Sequence, residues 1–251
     1  MNSQLIALLA CAGIFVASLV GMWLRKVLPD QHLNAATKEC VQLGMGLVAT
    51  MTALLLGLLI ASAKGTYDTQ RNGVIEIAAK VGFLDRALAT YGPETNNSRA
   101  ILRHAVEKTI QRMWPDKSST NTEVTTSVAE ARTLYDSIQQ LAPRDELQRS
   151  LKAEALSDSV ELSKTLWLLS AQKQVTIVVP LLVILILWLA VIFLSFGLLA
   201  PSNKTVIVTM LIVALSVSSA IFLILELDQP FQGLIRISSE PMRNVLNNLG
   251  R

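Results

Sequence analysis

The side chains most able to do chemistry in this chain are few and badly placed for it. His32 and His104 are the only histidines, and they are far apart in sequence. A nucleophile–base pair or a metal site needs its members within a few ångströms. Neither histidine has a partner at a spacing that supplies this. Cys11 and Cys40, the only cysteines, sit inside or at the start of apolar runs and read as small unpaired fillers. The sequence has no phosphate-cradling glycine loop, no CxxC and no HExxH. It is therefore read as a non-enzyme, with no cofactor and no metal. The remaining chemistry lies in the acids Glu226 and Asp228, at the end of an apolar run. A helix C-terminus carries partial negative charge, so two carboxylates there need a counter-charge. Lys64, Lys173, Arg236, Arg243 or a bound cation could supply it. Two readings are open: an interfacial charge cluster of Lys64, Glu226, Asp228 and Arg236 that ties down the tail, or an acidic ring at a pore mouth.

The elements that must position these residues are helices. The chain is 51% hydrophobic and only 16% charged, against the ~25% usual in soluble domains. The shortfall is concentrated in four apolar runs, near residues 5–24, 40–63, 175–199 and 205–227, each long enough to cross a bilayer core of roughly 30 Å. The first lacks the basic lead of a signal peptide and is read as an uncleaved span. A net charge of +3 is too small to indicate nucleic acid. Membrane lipid is the expected surrounding.

The second run, Cys40–Ala63, is rich in small residues. At helical spacing Gly46, Thr50, Ala53, Gly57 and Ala61 share one stripe with Ala49 beside it, while Leu47, Leu54, Leu55, Leu58 and Leu59 lie opposite. Such a helix meets protein on its small side and lipid on its bulky side. The stripe serves close helix packing, or it lines a narrow path. It contains no aromatic residue.

Residues 65–173 read as one polar insert of four amphipathic helices. Their apolar positions begin at Val74, Ile101, Val124 and Leu147, with breaks at Gly92-Pro93, Trp114-Pro115, the 116–121 linker and Pro143. The expected architecture is all-α: four transmembrane helices plus a cytoplasmic helical bundle inserted between the second and third spans. The divisions are 1–64, first membrane hairpin; 65–173, helical domain; 174–228, second hairpin; and 229–251, a tail on the membrane or the bundle. Pro180 is expected to bend the third span. Basic residues near the span ends favour an inner-membrane protein with cytoplasmic termini and insert.

Three stretches carry a family resemblance: Gly44–Ala63 followed by Lys64 and Tyr67; Tyr91-Gly92-Pro93-Glu94 with Arg99 and Trp114-Pro115; and the tail 227–235, LDQPFQGLI. Together they resemble the bestrophin-like domain family of bacterial integral membrane proteins. The resemblance implies kinship of architecture with bestrophins, pentameric anion channels with four membrane helices and a helical cytosolic part. Bestrophins line their pore neck with largely aromatic residues, which the second span here lacks. The expected function is a homo-oligomeric ion channel, five-fold if bestrophins are the guide, with the second helix around the axis and inorganic ions as cargo. The alternative is a non-conducting membrane scaffold or sensor whose insert binds a protein. The acids tilt selectivity toward cations, the resemblance toward anions.

Overall fold

The computed structural model describes residues 3–29, 35–115, 125–172, 179–201 and 203–250. Among them every regular element is a helix. These are α1 (Ser3–Val27), α2 (Ala35–Tyr91), α3 (Asn96–Met113), α4 (Thr125–Gln139), α5 (Glu146–Gln172), α6 (Val179–Leu199), α7 (Lys204–Leu227) and α8 (Glu240–Asn248). A short 3₁₀ turn, Pro93–Thr95, precedes α3. Four helices, α1, α2, α6 and α7, are long and apolar enough to cross a membrane.

The helix boundaries correct three expectations. The apolar run ends at Lys64-Gly65 but its helix does not; α2, 57 residues in all, continues to Tyr91. A single interior glycine costs about 1 kcal/mol of helix propensity, too little to stop a helix with favourable sequence on both sides. The first helix of the insert is thus the second half of α2. Pro180 does not bend α6, because that helix begins at Val179. Proline in the first turn lacks only an N–H that no intrahelical carbonyl would have accepted. The 116–121 linker and Lys173 lie outside the described residues.

The chain forms two compact units. The first comprises residues 1–67, 176–229 and 233–235. Here α1 packs along both α6 and α7. Its contact with α6 is built on glycine. A Cβ at Gly21 would fall 2.0 Å from the Leu194 carbonyl oxygen, and one at Gly197 would fall 2.0 Å from that of Ser18. Small residues allow this backbone approach, and dispersion between closely packed helices replaces the hydrophobic force that lipid cannot supply. Ser218 Oγ ties α7 to α1 by donating to the Ala7 carbonyl at 2.5 Å. Ile14, Leu185, Phe193, Ile221 and Ile224 fill the centre.

The second unit comprises residues 68–175, 230–232 and 236–251. The apolar stripe Val74, Ile77, Val81, Leu84 and Leu88 is buried, as are Leu102 and Val106 of α3, Ile138 of α4, Leu162 of α5 and Met242 of α8. Residues 230–232 and 236–251 of the tail belong to this unit, and 229 and 233–235 to the first. Trp114 Nε1 donates to the Ile237 carbonyl at 2.8 Å. The Trp114 ring meets Phe231 edge-on with centroids 5.6 Å apart. Arg103 Nη1 donates to the Leu249 carbonyl at 3.0 Å, satisfying a group left open past the end of α8.

Candidate functional site

Along its membrane-length half, α2 presents three faces. Thr52, Leu59 and Ala63 point into the first unit and are buried. The second face, Leu47, Leu54 and Leu58, is exposed, Leu54 by 75%. The third is the small stripe. Gly46, Thr50, Ala53, Gly57 and Ala61 are exposed, with Ala49 partly covered at the stripe's edge. A Cβ at Gly46 or Gly57 would meet no atom of the chain within 4 Å. The bulky side read from the sequence is therefore split. Leu55 and Leu59 turn toward the core, while Leu47, Leu54 and Leu58 stay outside.

Thr50 donates its hydroxyl to the Leu47 carbonyl at 2.8 Å, and Thr52 donates to that of Val48 at 2.7 Å. Such back-bonding one turn earlier satisfies the donor but leaves oxygen lone pairs available. Thr50 therefore offers the stripe an acceptor. Glycine and alanine contribute no polar side-chain group, so the stripe can give only a smooth, narrow wall.

The acids at the end of α7 are arranged differently from an open ring. Glu226 is only 2% exposed. Its carboxylate accepts from the Ser3 hydroxyl, from the Leu234 N–H at 2.6 Å and from the Ile235 N–H at 3.4 Å. Gly233 makes this turn possible. Its φ is +97°, a left-handed conformation that other residues adopt at a cost, and a Cβ there would lie 2.4 Å from Glu226 Oε2. The counterweight to this carboxylate is thus three hydrogen-bond donors. Charge-assisted bonds of this kind are short and strong. Asp228 is half-buried just beyond, its N–H bonded to the Ile224 carbonyl. Lys64 is exposed, with its ammonium 5.7 Å from the centroid of the Tyr67 ring. Arg236 is exposed in the second unit.

The other residues that gave the sequence its family character have structural roles. Gly92, at φ +132°, makes the turn after α2. There Thr95 Oγ1 bonds the carbonyls of Leu88 and Gly92 at 2.6 and 2.7 Å. Arg99 clamps Asp85 with two bonds of 2.7 and 3.0 Å. Asp85 had not been singled out in the sequence. It lies 14 positions before Arg99, beyond the i+3 and i+4 spacings that pattern reading detects.

Cys11 and Cys40 are free, and His104 is exposed on α3. His32 lies outside the described residues. Among those described, no group of three or more His, Cys, Asp or Glu side chains converges to hold a metal.

With four helices long and apolar enough to cross a membrane, the chain has the make-up of an integral membrane protein. Residues 12–242 match the Bestrophin-like domain, and the chain belongs to that family. Two structures of a bacterial bestrophin homologue from Klebsiella pneumoniae, carrying different mutations, share its fold. One has a TM-score of 0.72 at 14% identity over 99% of this chain and 97% of that one. The other has a TM-score of 0.70 at 14% identity over 99% and 98%. A third structure, of a membrane protein, gives 0.69 at 13% identity over 98% and 99%. Curated proteins gave no match.

Proposed function

We propose that this protein is a homo-oligomeric ion channel of the inner membrane, with α2 of each subunit around a central axis. The observation that carries the reading is the open small face of α2. Within the chain, close glycine packing is used by Gly21 and Gly197, whereas Gly46 and Gly57 meet nothing. A single chain with four spans has little room for an internal aqueous path. A ring of chains creates one on its axis, where only small side chains fit. In this arrangement Gly46, Ala49, Thr50, Ala53, Gly57 and Ala61 face the axis. Leu47, Leu54 and Leu58 cover neighbouring helices or lipid. The fold shared with a bacterial bestrophin homologue is in keeping with this reading, and the resemblance to bestrophins suggests five subunits.

The four apolar helices cross the membrane as hairpins over 1–64 and 174–228. The helical domain 65–173 and both termini lie in the cytoplasm, as the distribution of basic residues favours. The tail 229–251 docks on the helical domain. Inorganic ions are the cargo. Glu226 is committed to the turn it stabilises, so the charge at the path is not set by that residue.

Reconstitution of the purified full chain into a planar bilayer tests the reading. Unitary currents are expected, with a reversal potential in a KCl gradient that reports the sign of the permeant ion. Silence across a wide range of voltage and pH would overturn conduction.

A further inference from the structure

The membrane-length half of α2 gives the proposed path no sign of charge. Gly46, Ala49, Thr50, Ala53, Gly57 and Ala61 are all neutral. The helix does not stop there. It runs unbroken from Ala35 to Tyr91, so a face read in its first half can be followed into its second.

About 18 residues make five turns of α-helix, so two positions that far apart lie on one line along it. The buried face of α2 keeps to this step. Thr52 leads to Gln70 and then Leu88, Leu59 leads to Ile77, and Ala63 to Val81, and every one of them is buried. The same side of the helix is therefore covered along both halves, and its open side is continuous as well.

Followed by the same step, the small stripe changes character. Gly46 leads to Lys64, Thr50 to Asp68 and Ala53 to Arg71; five turns further, Asp68 leads to Arg86. Lys64, Arg71 and Arg86 are exposed and Asp68 is half-buried. Lys64 and Asp68 stand one helical turn apart and add no net charge to the stripe. Arg71 and Arg86 leave it positive. The other acids on this stretch of α2 are turned to cations: Glu76 to Lys80 at 2.9 Å and Asp85 to Arg99 at 2.7 Å. Arginine also keeps its charge at any pH a cell meets.

Resting on the reading of α2 as the helix around the axis, we propose that Arg71 and Arg86 are the selectivity-determining residues of the path. In a closed ring of subunits each repeats about the axis as a belt of guanidinium groups. Such a belt repels cations and gathers anions, as rings of charged side chains do in channels. The glycine and alanine wall sets the width of the path, and the arginine belts make it pass anions.

The test uses the full chain in a planar bilayer with a KCl gradient, with Cys11 and Cys40 replaced by Ser. With both arginines present, chloride is expected to permeate roughly tenfold better than potassium, the lower end of what a focused field supplies. Arg71→Gln with Arg86→Gln should bring the two permeabilities together. Arg71→Lys with Arg86→Lys should keep the preference, because charge and not shape acts. Arg149→Gln, an exposed residue paired with Glu146 on α5, is the control and should leave the ratio unchanged. Arg71→Cys removes folding from the comparison, since one preparation is read before and after labelling. A cationic methanethiosulfonate should raise the chloride preference, and an anionic one should turn the ratio toward potassium. Potassium preference with both arginines present, or a ratio that neither substitution nor labelling moves, would overturn this assignment and leave conduction standing. Silence of the unsubstituted chain would overturn conduction itself and the assignment with it.

Discussion

Glu226, at the end of α7, accepts the backbone N–H of Leu234 at 2.6 Å and so closes the turn after the helix around its own carboxylate. A buried anion is stable only when its acceptors are filled. The Ser3 hydroxyl and the Ile235 N–H complete the set and bring the start of α1 to the same point.

Glu226→Gln is therefore expected to destabilise rather than to retune conductance. Glutamine keeps one acceptor oxygen but turns an NH₂ toward existing donors, at a cost of about 1–3 kcal/mol. Glu226→Ala loses every bond and should cost more. The thermal unfolding midpoint in detergent should fall in the order wild type, Gln, Ala, while the reversal potential of any surviving current stays unchanged. A shifted reversal potential with wild-type stability would put the carboxylate at the path instead.

The glycines divide into two groups with opposite expectations. Gly197→Ala puts a methyl 2.0 Å from a backbone oxygen of α1, which cannot swing aside as a side chain could. Separation of the helices should cost about 1–3 kcal/mol and lower the yield of folded protein. Gly46→Ala and Gly57→Ala meet no atom of their own chain and should leave the subunit fold intact, or slightly firmer through helix propensity. Fluorescence-detected size-exclusion profiles after heating would separate the two groups.

This division marks how far the sequence could be read. Helix content, the four apolar runs and the insert's amphipathic stripes follow from hydropathy and periodicity, and α3 and α5 begin three residues after the breaks read at Gly92-Pro93 and Pro143. The small stripe on Gly46, Thr50, Ala53, Gly57 and Ala61 was visible too. Which glycines meet a neighbouring backbone was not, because Gly21 and Gly57 look alike until α6 is seen to cross α1. Glu226 was legible as an acid in need of compensation. Its partners were hidden, since two are backbone amides released by the positive φ of Gly233. The continuity of α2 through Gly65 is hidden in the sequence because polarity changes there while conformation does not.

The Asp85–Arg99 clamp should behave as a fold determinant. Asp85 is 8% exposed, and Arg99→Ala would leave its charge buried without a counter-ion. Breaking one side of such a pair costs about 3–5 kcal/mol. Arg99→Lys restores the charge but not the two-pronged geometry, so rescue should be partial. A double-mutant cycle with Asp85→Asn, read by thermal unfolding, should show strong coupling; additive effects would mean the two groups act separately.

Asp158, half-buried on α5, offers a pH test in the helical domain. Burial raises its pKa above the ordinary carboxylate value, nearby Glu154 and Glu161 raise it further, and Lys80 partly opposes them. Since the folded protein holds this proton more tightly than the unfolded chain, the penalty is fully present above the folded pKa. It is relieved as pH falls toward the unfolded value. Asp158→Asn should therefore raise the unfolding midpoint at neutral pH, and the gain should shrink on acidification. A gain that grew at low pH would contradict the sign.

The sharpest test of the proposed path compares two faces of α2 that the single chain leaves equally open. Leu47, Leu54 and Leu58 are exposed, and so is the stripe of Gly46, Thr50, Ala53 and Gly57. Burial within one subunit therefore cannot choose between them. Composition can: leucine gains from lipid or a neighbouring helix, whereas glycine and alanine allow close approach around an axis. With Cys11 and Cys40 replaced by Ser, single cysteines at 46, 50, 53 and 57 should react with a charged, water-soluble methanethiosulfonate and lose most of the current. Cysteines at 47, 54 and 58 should be spared, since a permanently charged reagent does not reach a thiol in hydrocarbon. The reverse pattern would rotate the helix by about 100° and put the leucines, not the glycines, at the centre of the ring.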